Sequence, residues 1–301
     1  MATSLYPAVQ GTATVGELIA YSRQHVRYGD YDSILDASDI LSALANDREL
    51  LVNAINSTLA EIDDYAGDNM GVSSQSIILH SDPMFKVRAN VWRKPVARAG
   101  SMLHDSNLYS YHYAHNHNFE LLTVGYLGSG YWTEIHECRP DKIQGYIGEK
   151  VELRYLEKTS LPRGKVIHFR ACEDVHTQLP CNEFSISLNL LVVPPYEKLS
   201  DQYSFDVAES RISGVITSPD IGCMSLLSFV ALLQAKEAYD SVERIAFSSA
   251  HWRLRNAALE VAGILAPGEK GALWKRAELD KDPAIRRAAR AWLDSGDCAA
   301  G

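Results

Sequence analysis

Tyr109-Ser-Tyr-His-Tyr-Ala-His-Asn-His-Asn-Phe-Glu120 is the stretch on which the fold of this chain turns, and Glu173-Asp-Val-His176 answers it later in the sequence. His115 and His117 stand two apart in a segment with strand character. Successive strand side chains point to opposite faces, so residues at i and i+2 share one. Two imidazoles on one side of a sheet, joined by a third from a later strand, make a facial ligand set for Fe, Mn, Ni, Cu or Zn. An isolated His-x-His also reads as a polar strand face. The surrounding pattern raises this one above that.

Outward from these histidines the chain stays strand-like. Ser76–His80, Phe85–Arg93, Leu108–His117, Glu120–Tyr126, Gly130–His136, Val151–Leu156, Lys165–Arg170 and Phe184–Val193 are short, β-branched or aromatic, and punctuated by Gly, Pro, Asn and Asp. Many short strands with no helical pattern between them predict an antiparallel sandwich or barrel, and about 120 residues suit a double-sheet jelly roll. Before this core the chain reads as helical, in Gly16–Arg23, Ser33–Asn46 and a stripe from Leu50 to Ile62 behind a capping-box pattern at Asn46-Asp-Arg-Glu49. After Pro194-Pro195 it is helical again. There Trp252–Ala262 and Pro283–Leu293 match at Leu254/Ile285, Arg255/Arg286, Ala257/Ala288 and Ala258/Ala289, an offset of 31. The second copy follows Asp280-Lys-Asp-Pro283, a helix-start signal. Paired helices at such a period resemble HEAT-type repeats, and an ordinary helical bundle fits them equally. The expected organisation is an α+β chain: a helical region over 1–72, a β-domain over 73–197, and a C-terminal helical region over 198–301.

Bulk composition narrows the function classes. Hydrophobic residues at 46% and charged residues at 22% are ordinary for a globular chain with a sizeable core. A formal charge of −9 argues against sequence-independent nucleic-acid binding, which needs a basic surface. Met1–Pro7 does not read as a secretory leader, and no apolar run is long enough to predict a membrane span. Five scattered cysteines without a C-x-x-C pair favour reduced thiols. A cytoplasmic protein is expected.

The histidine region resembles the cupin superfamily over roughly Phe85 to Pro195. His115-Asn-His117, Glu120 and the glycines Gly125, Gly128 and Gly130 resemble the first cupin motif. Leu161-Pro-Arg-Gly164, the strand Lys165–Arg170, the turn Ala171–Asp174 and His176 resemble the second. Ser185–Pro195, ending in Pro-Pro, and Trp92 are similar to the thiol dioxygenase branch. The resemblance implies a metal held by His115, His117 and His176, with Fe(II) favoured and Mn, Ni, Cu or Zn left open. Two departures matter. Only two residues separate His117 from Glu120, so with His117 inward Glu120 faces out, and a three-histidine site follows. The arginine expected near Ser73–Ser76 has no match, and Asn189 and Leu191 stand where the branch keeps a His and a Tyr. Free cysteine is therefore a weak substrate candidate.

Other polar residues complete the reading. His168, eight before His176, is a second candidate ligand or a proton shuttle. Tyr111 and Tyr113 share the parity of His115 and His117, as pocket or catalytic hydroxyls or as barrel filling. Arg88 and Arg93 are an odd number apart, so one of them can face inward to bind an acidic substrate. His112 has the opposite parity, and His104 and His136 read as ordinary polar residues. The expected function is a mononuclear non-haem iron oxygenase acting with O2 on a small molecule. Alternatives are a non-oxidative metal-dependent isomerase or lyase, and a metal- or ligand-sensing module. Neither nucleic acid nor membrane is an expected partner, and the helical regions leave a homodimer or a protein partner open.

Overall fold

A computed structural model describes residues 2–60, 71–95, 107–195, 198–248 and 250–295. His104, Cys298 and most of the turn at Gly67–Gly71 lie outside the described residues. The chain divides into two compact units, Met1–Ile216 and Thr217–Gly301.

The first unit holds two antiparallel six-stranded sheets among its described residues. Strands β1 (Thr3–Leu5), β8 (Val166–Phe169), β5 (Glu120–Leu127), β10 (Ser185–Val192), β3 (Phe85–Trp92) and β2 (Ser76–Ser81) lie in that order in one. The other runs β12 (Arg211–Thr217), β11 (Gln202–Asp206), β4 (Ala114–His115), β9 (Asp174–Leu179), β6 (Trp132–Glu137) and β7 (Arg154–Ser160). Strand alternation separates two apolar layers. Val87, Ala89, Leu122, Val124, Leu188 and Leu190 face helices α1 (Val15–His25), α2 (Tyr31–Asp36) and α3 (Ser38–Asn46), against Leu18, Ile34 and Leu41. Trp92, Leu121, Ile135, Ile167, Phe169 and Leu191 take the other parity and form an inner core. The fold is α+β with a jelly-roll centre, as expected.

Several local readings need correction. Asn46 does not cap helix α4 (Leu50–Ala60). It closes α3 and donates to the carbonyls of Val9 and Gly11 at 3.2 and 3.0 Å. The capping box is at Thr14 and Glu17, ahead of α1. On α4 only Leu51 is buried, while Val52, Ile55 and Leu59 are exposed. The strands β1, β11 and β12 fall in stretches read as helical, and β11 and β12 extend the second sheet beyond residue 198. Short edge strands carry little periodic signal, and pairing with a formed sheet supplies what their own sequence lacks.

The turn glycines answer to backbone approach. A Cβ at Gly130, whose φ is +73°, would lie 1.9 Å from the Leu161 carbonyl oxygen, and one at Gly125 would lie 2.1 Å from that of Pro162. Gly130→Ala is expected to cost more than about 2 kcal/mol, from left-handed strain plus overpacking. Gly148, at φ +88° with nothing within 4 Å, meets only the strain and should cost less. Urea unfolding of the two alanine variants makes the comparison.

The second unit contains helices α5 (Ile221–Leu232), α6 (Tyr239–Ala246), α7 (Trp252–Leu265), α8 (Lys270–Glu278) and α9 (Pro283–Asp294). Asp282 caps α9 by accepting from the Ala284 N–H at 2.8 Å, with Pro283 in the first turn, as the helix-start signal requires. The matched positions Leu254 and Ile285, and Ala258 and Ala289, are buried in one core. Arg255 is buried and pairs with Asp280. No helix among the described residues is long and apolar enough to cross a membrane.

Candidate metal centre

Strand pairing brings the three histidines together. His115 on β4 stands directly opposite His176 on β9, and His176 also faces Ile135 of β6. His117 lies two residues beyond His115 on the same side, its ring stacked on Phe119 at 4.4 Å. Nε2 of His176 is 3.3 Å from Nε2 of His115 and 3.1 Å from that of His117. Residues of opposite parity pin this segment. Asn116 accepts from the Tyr203 N–H at 2.7 Å, and Asn118 donates to the Ser200 carbonyl at 2.8 Å. The Cys172 N–H donates to the His117 carbonyl at 2.6 Å.

The protonation states suit ligation. His115 Nδ1 lies 2.9 Å from the Tyr113 carbonyl, which can only accept, so Nδ1 carries the proton and Nε2 is bare. Burial lowers the pKa of His115, opposed by that bond. Burial, then the neighbouring His115 charge, holds His117 and His176 well below the ordinary value. In the Nδ1–H tautomer His117 and His176 would turn bare Nε2 atoms to the same point as His115, and three such lone pairs at these distances repel unless a cation lies among them. Ligands about 2.1 Å from an ion and near right angles to one another stand about 3 Å apart, so the donor set fits a metal.

A cavity of about 190 Å³ opens beside His115 and His117. That is small against the roughly 300–1,000 Å³ of drug-sized sites. Its wall includes Arg88, Asn90, Tyr109, Tyr131, Gln178 and Asn189, and no carboxylate among the described residues. Arg88 Nε is buried without a hydrogen-bond partner among the described residues, and burial lowers the guanidinium pKa. Asn189 is held in place: it accepts from Thr123 Oγ1 at 2.6 Å and donates to the Arg88 carbonyl at 3.3 Å. Trp92 lies over Tyr131 at 4.2 Å between ring centroids and donates from Nε1 to Ser187 Oγ at 3.0 Å. Burial raises the Tyr131 pKa, so its phenol stays protonated.

The remaining candidates separate. Arg88 is brought to the cavity, and Arg93 is exposed outside it. Tyr111 is buried, but its hydroxyl donates to the Arg93 carbonyl at 3.0 Å and its ring packs among Trp92 and Tyr109 rather than lining the cavity. Tyr113 is 44% exposed and does not line the cavity, although its ring lies 5.7 Å from that of His115. Tyr111 thus fills the inner core, one of the two roles its parity allowed, and Tyr113 departs from it where Ser110 and His112 take left-handed φ angles of 53° and 61° before β4. The same kink puts Tyr109 and Ser110 on the cavity wall. His168 lies outside the three-histidine cluster. It stands opposite Leu122 on the helix-facing side of β8 and binds Glu120 at 2.8 Å, both side chains nearly inaccessible. Glu120 also faces the helices, but as the first residue of β5 in the other sheet, since β4 ends at His115 and no strand carries the alternation from one to the other. Tyr131, Tyr109 and Gln178 carried no motif signal, since their neighbours in the site come from distant strands.

Solved structures similar to this chain include a salicylate 1,2-dioxygenase variant from Pseudoaminobacter salicylatoxidans in complex with gentisate, at 13% identity and TM-score 0.29, covering 56% of this chain and 36% of that one. A hydroquinone 1,2-dioxygenase in complex with Cd2+ and 4-hydroxybenzonitrile is similar at 10% identity and TM-score 0.25, covering 39% of this chain and 63% of that one. A Klebsiella pneumoniae protein with a double-stranded β-helix domain is similar at 10% identity and TM-score 0.23, covering 44% and 85%. The aligned part spans about a third of the salicylate dioxygenase chains, 31% in one of them. No protein-family model matches the chain. No curated protein matches it either.

Proposed function

We propose that this chain is a metal-dependent oxygenase of cupin type, with iron(II) held by His115, His117 and His176, acting with O2 on a small anionic molecule. The observation that carries the reading is the convergence of three buried Nε2 atoms, 3.1 and 3.3 Å from His176 to the other two, beside a cavity whose one charged wall residue among the described residues is Arg88. Iron bound there would relieve the spin barrier that keeps O2 from reacting with a closed-shell substrate, the electrons that reduce O2 coming from the substrate itself. The chain's own residues do the rest. Arg88 holds the anionic group, its unpartnered Nε supplying a donor. Tyr131 presents a protonated phenol, and Asn189 fixes the neighbouring wall through Thr123. Trp92, Tyr109 and Leu121 exclude water from one side. His115 keeps its proton on Nδ1 against the Tyr113 carbonyl, which orients the ring.

Asn189 and Leu191 replace the His and Tyr of the thiol dioxygenase branch, so the substrate in this reading is an acid other than free cysteine. O2 uptake by iron-loaded protein, offered a panel of small thiol, hydroxy and aromatic carboxylic acids, tests it. Uptake with at least one acid is expected. Retained metal with no uptake across the panel would replace the oxidative reading by Lewis-acid chemistry. Arg88→Ala is expected to raise KM for the acid about ten- to hundredfold, the worth of a charge-assisted hydrogen bond, with a smaller effect on kcat. An uncharged analogue should lose little.

A further inference from the structure

Gln178 stands two residues past His176 on β9, so both side chains share the inner face. Its backbone is pinned from two sides: Gln178 lies opposite Thr133 of β6, and its carbonyl accepts from the His112 N–H at 2.8 Å. The side chain is 7% exposed. One end of the carboxamide lies 3.5 Å from His176 Nε2, the limit of a hydrogen bond. The other end, Oε1, is buried without a hydrogen-bond partner among the described residues, as is the hydroxyl of Thr133. A buried polar atom left unpaired costs about 1–3 kcal/mol and points to a missing ligand. A cation bound to His176 Nε2 takes the lone pair that the amide would otherwise approach. A half-turn of the amide, whose two ends are nearly isosteric, then brings the oxygen to the side that faces His176 Nε2.

Resting on the three-histidine reading, we infer that the Gln178 carboxamide oxygen is a fourth protein ligand of the metal. Glu120 and His168, the other fourth-ligand candidates, face the helices instead. The consequence is electrostatic. Three imidazoles and an amide are all neutral, so a divalent ion keeps its full charge beside Arg88, with no carboxylate on the cavity wall among the described residues. A glutamate at this place would cancel half of that charge. Four protein ligands leave two places on a six-coordinate ion rather than three, so the acidic substrate is held there through one atom and by Arg88 through another.

The test is cobalt(II) titration of chelator-stripped wild type, Gln178→Leu and Gln178→Glu, followed by visible absorption and by competition for the dissociation constant. Circular dichroism of each metal-free protein monitors folding. Gln178→Leu is expected to bind cobalt at least roughly 10–100-fold more weakly, with altered visible bands. Gln178→Glu, which restores an oxygen and adds a charge, is expected to bind at least as tightly as wild type. It carries the test if the leucine variant does not fold, because weaker binding in the glutamate variant would overturn the assignment. A cobalt-loaded crystal structure should place the carboxamide oxygen about 2.0–2.2 Å from the ion. Equal constants and spectra for wild type and Gln178→Leu would overturn this ligand and leave the histidines standing. Wild type that takes up no cobalt, zinc or iron would overturn the three-histidine reading itself, and this inference with it.

Discussion

His176→Ala is expected to strip the metal from the protein: wild type purified without added metal should carry about one ion per chain, and the variant almost none. The loss should exceed the roughly 10–100-fold that removing an outer hydrogen bond to a ligand costs, because a direct donor disappears. His176 is the most decisive of the three positions. It is 1% exposed, opposed by His115 on one side and by Ile135 on the other. Its Nδ1 is buried without a partner among the described residues, so removing the ring also removes an unpaired polar atom. The metal-free variant should therefore stay folded. Ligand binding stabilises by about 2.7 kcal/mol at a hundredfold excess over Kd. Added iron or zinc should accordingly raise the unfolding midpoint of wild type and leave that of His176→Ala unmoved. Elemental mass spectrometry and thermal unfolding read the two effects separately. Equal metal in both proteins would remove His176 from the centre.

Arg170→Ala is expected to cost about 3–5 kcal/mol of stability, the penalty for breaking a buried ion pair from one side. The Arg170 guanidinium forms two bonds to Asp174, at 3.1 and 2.7 Å, a third to Glu137 at 2.9 Å, and pairs with Glu173. Asp174 is 1% exposed, so without the arginine its carboxylate is buried and uncompensated. The cluster ties the end of β8 to the start of β9, two residues before His176, and metal affinity should fall together with stability. Replacing both partners by apolar residues, Arg170→Met with Asp174→Leu, should recover much of the loss.

The cluster also sets a pH dependence. Hydrogen bonds from Arg154, then Arg170, lower Glu137 from 4.5 to about 2. The folded state thus binds this proton less readily than the unfolded chain. The stability Glu137 contributes is complete above about pH 4.5 and is lost as pH falls toward about 2. Arg170→Ala should flatten that acid limb, and urea midpoints across this range measure it. An unchanged limb would assign the shift to Arg154 alone.

The two expectations differ in how far their residues could be seen in the chain. The His115/His117 pair was marked by its i, i+2 spacing, and pairing in the second sheet then sets His176 opposite His115, while Glu120 takes its direction from β5 in the other sheet. The jelly-roll centre was legible for a similar reason: its central strands are apolar on alternating positions that the two cores later fill. Asp282-Pro283 marked a helix start because capping is a property of a few adjacent residues.

Tertiary structure decided the rest, wherever the deciding partner lies far along the chain or a single backbone angle interrupts the period. Arg88 rather than Arg93 faces the cavity because the register of β3 against β10 sets Arg88 opposite Asn189. Tyr113 was lost from the site, and Tyr109 joined it, through two left-handed residues that no alternation rule anticipates. Tyr131 and Gln178 look like ordinary strand-region residues until β6 and β9 pair. By itself, then, the sequence determined the histidine pair and the β-rich core, since both rest on local periodicity. Only the folded chain decided what surrounds that face, because the wall of a cavity is assembled by contacts between segments that are neighbours in space alone.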